Sequence, residues 1–271
     1  MSTALKSVFS TMKKQGLVKM MEQYLLSRSV EEDTDRKNET NSPSSALGCT
    51  RANIYQRMGA PKEILSARSR RIFDNGHGVH DRTQTYLEEM GVLLMREVPL
   101  FNDEEEIQGH TDGLLDLQRN LIEVKILEIK SINSHQFSSL KEPKEEHRAQ
   151  ASVYLFVLEE HRKKLKTLYP TWKDFKRSEL YRRKMYAKRY AHLKGGRRYT
   201  REQKIGFKVN QHIKCDEILY KLVKPINSVI FLYENKDTQD YKEFEIKRDA
   251  EVLARALAKY RDNNKWWKKI K

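Results

Sequence analysis

The stretch GHTDGLLDLQRNLIEVKILEIKS, residues 109–131, decides the fold of this chain. Runs that contain several apolar residues lie on both sides of Gln118-Arg119-Asn120, which is a hairpin-length connection. We therefore predict antiparallel strands over Gly109–Leu117 and Leu121–Lys130, with Val92–Leu100 as a strand before them.

The register of this hairpin follows from the length of its loop. If Leu117 pairs with Leu121, Asp112 lies opposite Ile126. Faces alternate along a strand, so even-numbered residues share a face with Asp112. A loop longer or shorter by one residue would reverse this assignment.

Two Glu-x-Lys pairs compete for a place beside Asp112. Glu128 and Lys130 have its parity, whereas Glu123 and Lys125 do not. We therefore expect Asp112, Glu128 and Lys130 on one face, with Glu128 diagonal to Asp112. Charged residues of this kind also occur on surface strands without a function.

Helix and strand patterns surround the hairpin. They predict an α/β fold with a mixed central sheet flanked by helices and a basic helical insertion at about 162–220. Further helices are predicted over residues 1–29, Ile72–Met90, Pro143–Lys166, from Thr171 to Gly195-Gly196 and from Asp249 to Tyr260, and further strands over Asn227–Tyr233 and Tyr241–Lys247. We divide the chain into an N-terminal helix with a polar linker, 1–43, and a main domain, 44–271.

Composition excludes several classes of protein. The 271 residues are 38% hydrophobic and 34% charged and contain no apolar run of 18 residues, so a spanning helix is not expected. The N-terminus does not resemble a secretory signal. Two cysteines rule out a disulfide framework and a four-cysteine metal site. We expect a cytoplasmic protein, in the host cell if it is viral.

Positive charge is concentrated in one segment. Residues 162–204 carry 17 basic and 3 acidic residues, a net +14 of the total +15. Such a field attracts a polyanion, most commonly nucleic acid, although a solvated basic helix pair or an acidic protein partner would also fit. Aromatic residues in the segment could stack on bases. Four of them, Trp172, Phe175, Tyr186 and Tyr190, have near-helical spacing and are expected in the core instead.

The carboxylates suggest phosphodiester chemistry. Asp112 and Glu128 are hard oxygen ligands suited to Mg²⁺ or Mn²⁺, and Lys130 could position or activate water. His80 follows Gly76 by one turn, and a neutral imidazole can bind a metal. His77 and His110 compete for this role, and a lone helix histidine is often structural. Gln150 and Tyr154, four residues apart on a helix, could support the lysine or line a polar helix edge.

The order Gly76-x₃-His80, Gly109-x₂-Asp112, Glu128-Ile129-Lys130 and Gln150-x₃-Tyr154 resembles the RecB-like branch of the PD-(D/E)XK nucleases. That branch includes phage exonucleases and CRISPR adaptation nucleases. The resemblance runs from about Ser44 to Asp249 and extends to Tyr233–Thr238, YENKDT.

The resemblance implies a role for each matching residue. His80, Asp112, Glu128 and the backbone carbonyl of Ile129 would hold Mg²⁺ or Mn²⁺, and Lys130 would orient or activate the water. Gln150 would support Lys130. Nucleic-acid contacts would come from Arg51, Tyr55, Tyr154, Arg182, Arg183, Lys188, Arg189, Arg197, Arg198 and Lys236.

Two departures from the family pattern stand out. Thr111 replaces the proline of the name-giving pair, as is usual in the RecB-like branch. Many relatives also bind an iron–sulfur cluster through four cysteines, and Cys49 matches the upstream ligand. Cys215 is the only other cysteine, so no iron–sulfur cluster is expected, and Cys49 is expected to be a small buried residue.

These features lead to one hypothesis and two alternatives. The hypothesis is a metal-dependent DNA exonuclease of phage-type recombination, repair or replication. It would act on single strands or duplex ends, away from membranes, with phage or host recombination proteins as partners. The alternatives are a structure-selective or nicking endonuclease and a non-catalytic nucleic-acid-binding protein on a nuclease-like fold.

Overall fold

A five-stranded sheet forms the centre of the computed structural model, which describes residues 16–33, 39–61, 63–196 and 199–270. The helices are α1 Leu17–Asp33, α2 Thr50–Arg57, α3 Ala67–Glu89, α4 Ser134–Ser139, α5 Glu145–Leu168, α6 Trp172–Arg177, α7 Glu179–Arg189, α8 Arg201–Lys221 and α9 Ala250–Ile270. The strands are β1 Leu93–Asn102, β2 Ile107–Leu115, β3 Lys125–Ile132, β4 Ser228–Asn235 and β5 Tyr241–Lys247.

The strands lie side by side in chain order. Neighbours are antiparallel except β3 and β4, which are parallel and are joined by a long crossover that contains α4 to α8. The predicted α/β class with a mixed, helix-flanked sheet is therefore confirmed. Among the described residues, no helix is long and apolar enough to cross a membrane.

Helices cover both faces of the sheet. On one face α5 buries its apolar stripe in the main core, which includes Leu114, Ile126 and Phe231. On the other face Val79 of α3 packs with Leu127 and its neighbours. Strand β4 is buried on both sides, and its residues from Val229 to Tyr233 form an uninterrupted apolar run.

The hairpin register differs from the prediction. β2 ends at Leu115 and pairs with Lys125, which leaves a longer loop than Gln118-Arg119-Asn120. The loop is held by the Asp116 carboxylate, which accepts the Leu121 N–H at 2.8 Å. This side-chain hydrogen bond takes the place of the backbone pairing that the prediction assumed for the loop. The pairing of β2 with β3 is therefore shifted by two residues from the predicted one. Because the shift is even, even-numbered residues of the two strands still share a face.

The basic segment folds as a helical layer beside β1. The prediction that Thr171 caps a helix is confirmed, since its hydroxyl accepts the Asp174 N–H at 3.2 Å. The helix does not run on to Gly195-Gly196, because it breaks at Ser178 and ends at Arg189. Helix α8 follows as a separate element, opened by a Thr200 capping box. Of the four aromatic residues expected in the core, Phe175, Tyr186 and Tyr190 are buried but Trp172 is exposed.

The chain ends also differ from the prediction. Asp249 caps the last helix as expected, accepting the Val252 N–H at 3.0 Å, but α9 continues to Ile270. Beyond Tyr260 the helix is held by the buried Asn263 and Asn264, which form hydrogen bonds with Asn41. The predicted N-terminal helix is described only from Leu17, and residues 1–15 lie outside the described ranges. Part of the expected linker packs on the main domain, since Asn41 is buried and bridges to Ile107. The division at residue 44 stays a prediction.

Candidate active site at the fork between two strands

β2 and β3 separate at the point where the predicted carboxylates lie. Their last backbone pair on this side is Gly113 with Leu127. Beyond it, Oδ2 of Asp112 accepts the N–H of Ile129 at 2.5 Å. The side chain of Asp112 thus occupies the gap between the strands. Residues from both faces of the sheet can reach this gap, which we call the fork.

Gly113 makes the close packing at the fork possible. A Cβ atom there would lie 2.6 Å from Leu93 Cδ1 and 3.0 Å from the Met95 carbonyl oxygen. Any side chain would push β1 away from β2 and displace Asp112.

His80 reaches the fork from α3. Its Nδ1 lies 3.2 Å from Oδ1 of Asp112. Burial alone would lower the pKa of the imidazole, but the hydrogen bond and the negative charge of Asp112 outweigh it and raise the pKa. His80 and Asp112 therefore form a coupled pair at the α3 side.

Glu128, Lys130 and Gln150 form a network on the α5 side. Oε1 of Glu128 accepts from Lys130 Nζ at 2.7 Å and from Gln150 Nε2 at 3.0 Å. Oε1 of Gln150 accepts from the same lysine at 3.2 Å, and its amide also contacts the hydroxyl of Tyr154 at 2.5 Å. The ammonium of Lys130 is therefore held by a carboxylate and an amide.

The surroundings of Glu128 disfavour a negative charge on its carboxyl group. Burial raises its pKa to about 7, the nearby Asp112 carboxylate adds to the rise, and Lys130 opposes it. Its Oε2 is buried and forms no hydrogen bond of ordinary geometry, although the hydroxyl of Tyr154 is near enough to lower the pKa of the carboxyl. Buried polar atoms are nearly always paired, so this one requires an explanation.

A divalent cation fits this arrangement. It would pair with the orphaned Glu128 oxygen and remove the repulsion between Glu128 and Asp112. In the described part of the chain, no group of three His, Cys, Asp or Glu side chains is already arranged to hold a metal. Mg²⁺ needs only one or two carboxylates, since water, carbonyl oxygens and substrate phosphates complete its shell.

The competing residues lie elsewhere. Lys125 forms a surface cluster with Glu123 at 3.6 Å and Glu245 at 2.9 Å, away from the fork. His77 is exposed on α3. Nε2 of His110 contacts Lys208, and burial together with that lysine lowers the pKa of His110 to about 4.

Two predicted nucleic-acid contacts are corrected, and two others, Arg183 and Arg189, stay predictions. Arg182 is buried and pairs with Asp216 at 2.6 Å, and Tyr154 is buried in the α5 network, so neither faces a strand outside the protein. Arg183 and Arg189 are partly exposed but paired with acidic residues, Glu179 at 2.9 Å and Asp103 at 2.7 Å.

Other predicted contacts lie at the surface. Arg51, Tyr55, Lys188 and Lys236 are exposed. Arg197 and Arg198 lie outside the described residues. Cys49 was wrongly expected to be buried: it precedes the first residue of α2 at the surface, where backbone N–H groups of Ala52 and Arg51 lower the pKa of its thiol.

Sequence patterns missed two residues beside the fork. Gln84, one turn after His80 on α3, donates to the Asp112 carbonyl at 2.8 Å and to Glu97 at 3.3 Å. Glu97 sits within β1 at a φ of 50°, a strained value for a residue other than glycine. Burial raises the pKa of its carboxyl, and the charge of Asp112 adds to the rise. For these two residues, the only signal in the sequence was the four-residue spacing from His80 to Gln84.

Comparisons with known proteins give distant similarities. No family model matches the chain, and no curated protein matches it. It is similar to the solved structure of an alkaline exonuclease, LHK-Exo, from Laribacter hongkongensis, at 14% identity and a TM-score of 0.45, over 89% of this chain and 95% of that one. It is also similar to the protein SSO0001, at 14% identity and a TM-score of 0.44, over 91% and 86%. Function must therefore be inferred from the side chains.

Proposed function

We propose that this chain is a divalent-metal-dependent DNA nuclease of the RecB-like PD-(D/E)XK type, acting as an exonuclease on single strands or duplex ends. The observation that carries the proposal is the convergence of Asp112, Glu128 and Lys130 at the fork, with one buried oxygen of Glu128 left unpaired.

A purely structural role explains this convergence poorly. A buried carboxylate without a full set of partners costs stability. Here Glu128 is buried near a second carboxylate, and its pKa is raised to about 7. Strongly perturbed groups of this kind are concentrated at functional sites.

The chain's own residues supply three functions in this proposal. His80, Asp112, Glu128 and the Ile129 carbonyl would hold the cation. When bound, the cation would supply a Lewis acid beside the phosphate oxygens. Lys130, fixed by Glu128 and Gln150, would hold the attacking water and stabilise the charge that develops on the phosphate.

The substrate is inferred from the charge on the surface. The chain has a net charge of +15. Exposed cations such as Lys184 and Lys188 on α7, and Lys236 after β4, would contact phosphates. Contacts of this kind give affinity without reading sequence, which suits a general exonuclease.

The test compares the fork with the second Glu-x-Lys pair. We expect Asp112→Ala and Lys130→Ala to lower Mg²⁺- or Mn²⁺-dependent cleavage of linear DNA by about 100-fold or more, because each removes a group acting on the reacting phosphate. Glu123→Gln and Lys125→Ala, the matched surface controls, should cleave like the unaltered protein. Unchanged cleavage in both fork variants would reject the proposal.

A comparison of linear with covalently closed circular DNA distinguishes an exonuclease from an endonuclease. Covalently closed circular DNA should stay intact under conditions that degrade the linear form. Nicking of the circle would favour the endonuclease alternative, and metal-independent binding without cleavage of any substrate would favour a non-catalytic binding protein.

A further inference from the structure

Lys208 connects the basic helical layer to the fork. It lies on the face of α8 that packs against the sheet, and its Nζ is 3.2 Å from Nε2 of His110. His110 precedes Asp112 by two positions on β2, which places them about 7 Å apart along the strand.

The charge of Lys208 is poorly compensated. Among the described residues, no carboxylate lies within ion-pair distance of it, and its hydrogen-bond partner is the imidazole of His110. Glu97 is close enough to interact electrostatically but forms no contact with it. The side chain is half-buried, and this burial lowers the pKa of the ammonium. A desolvated cation without a paired anion favours binding an anion.

Three arginines of the same layer that are buried or partly buried differ from Lys208 in this respect. Arg182, Arg183 and Arg189 form ion pairs with acidic side chains at 2.6, 2.9 and 2.7 Å. Their positive charge is largely compensated within the protein. Lys208 keeps its charge available, and it does so at the edge of the fork.

We infer that Lys208 is a positioning residue that binds a phosphate of the substrate strand next to the cleavage site. This inference rests on the proposed function, and it gives the basic layer a direct part in placing the strand. His110 accepts one hydrogen bond from the ammonium, which holds it in place and leaves its other donors for phosphate oxygens. Each nucleotide of the strand carries a negatively charged phosphate, so the phosphates beside the scissile one are the anions nearest to Lys208.

Binding measured without cleavage tests this role. The affinity of a single-stranded oligonucleotide would be measured in EDTA over a series of salt concentrations. For Lys208→Met we expect several-fold weaker binding and a slope of log K against log salt that is smaller by about one, because one phosphate contact is lost. Lys208→Arg, which keeps the charge, should restore both.

The control is Lys214→Met, an exposed lysine on the same helix. It should change the slope less than Lys208→Met does. Equal slopes for Lys208→Met and the unaltered protein, with the fold intact by circular dichroism, would overturn the inference. If Lys208→Met fails to fold, the Lys208→Gln variant is measured in its place under the same criterion. A protein that binds with the predicted slopes but never cleaves would refute the proposed function and not the contact.

Discussion

At the scale of the residue, Glu128 shows a conflict between stability and function. A buried carboxylate beside Asp112 is a poor choice for folding alone, and its unpaired oxygen adds to the cost. The sequence predicted Glu128, and not Glu123, from the strand parity that it shares with Asp112. Sequence reasoning could not find the strained Glu97, because a φ of 50° within a strand has no signature in a glutamate.

Because of this buried charge, we expect the stability of the protein to depend on pH. The folded state raises the pKa of Glu128 from 4.5 to about 7, so it favours the protonated form, and stability falls as pH rises from about 4.5 through 7. Glu128→Gln removes the charge. In EDTA it should raise the melting temperature at pH 8, by about 2–4 °C for each kcal/mol regained, and change it much less at pH 5.

Thermal unfolding followed by calorimetry at both pH values measures this difference. If Glu128→Gln destabilises the protein at pH 8 as much as at pH 5, or more, then the charge of Glu128 does not destabilise the folded state.

At the scale of the element, local side-chain chemistry decided which predictions succeeded. Strand Tyr241–Lys247 and the caps at Thr171 and Asp249 were predicted because short-range patterns determine them. The hairpin was displaced because the Asp116 side chain took over a backbone bond in the loop. Such a replacement depends on tertiary geometry and cannot be read from alternation of apolar residues.

The buried carboxylate of Asp216 links the helices of the basic layer to one another. Asp216 accepts from Arg182 at 2.6 Å, from Tyr186 at 2.9 Å and contacts His161 at 2.8 Å. Asp216→Ala would leave the arginine buried without a partner, which should cost about 3–5 kcal/mol. Glu217→Ala, the next residue and an exposed pair, should cost less than about 1 kcal/mol.

Urea denaturation of the two variants measures this contrast. Hydrogen exchange should show the loss of protection for Asp216→Ala first in α6 to α8. Equal stabilities of the two variants would mean that the network does not hold the layer together.

At the scale of the whole molecule, the distribution of charged residues and the divergence of β2 from β3 determine the surroundings of the fork. The +14 of residues 162–204 predicted a basic surface, but part of this charge pairs with acidic residues outside that segment, such as Glu159, Asp216 and Asp103. A sum along the sequence cannot show these pairs. Likewise, the parity argument placed Asp112 with Glu128 on one face, whereas Asp112 meets its neighbours by entering the gap between two diverging strands.

The central claim is that the fork holds one divalent cation between Asp112 and Glu128. The most direct measurement is an anomalous-difference map from crystals of this protein soaked in Mn²⁺. We predict a peak bonded to a carboxylate oxygen of Asp112 and to Oε2 of Glu128. A well-ordered fork without a peak, or Mn²⁺ bound only elsewhere, would contradict it.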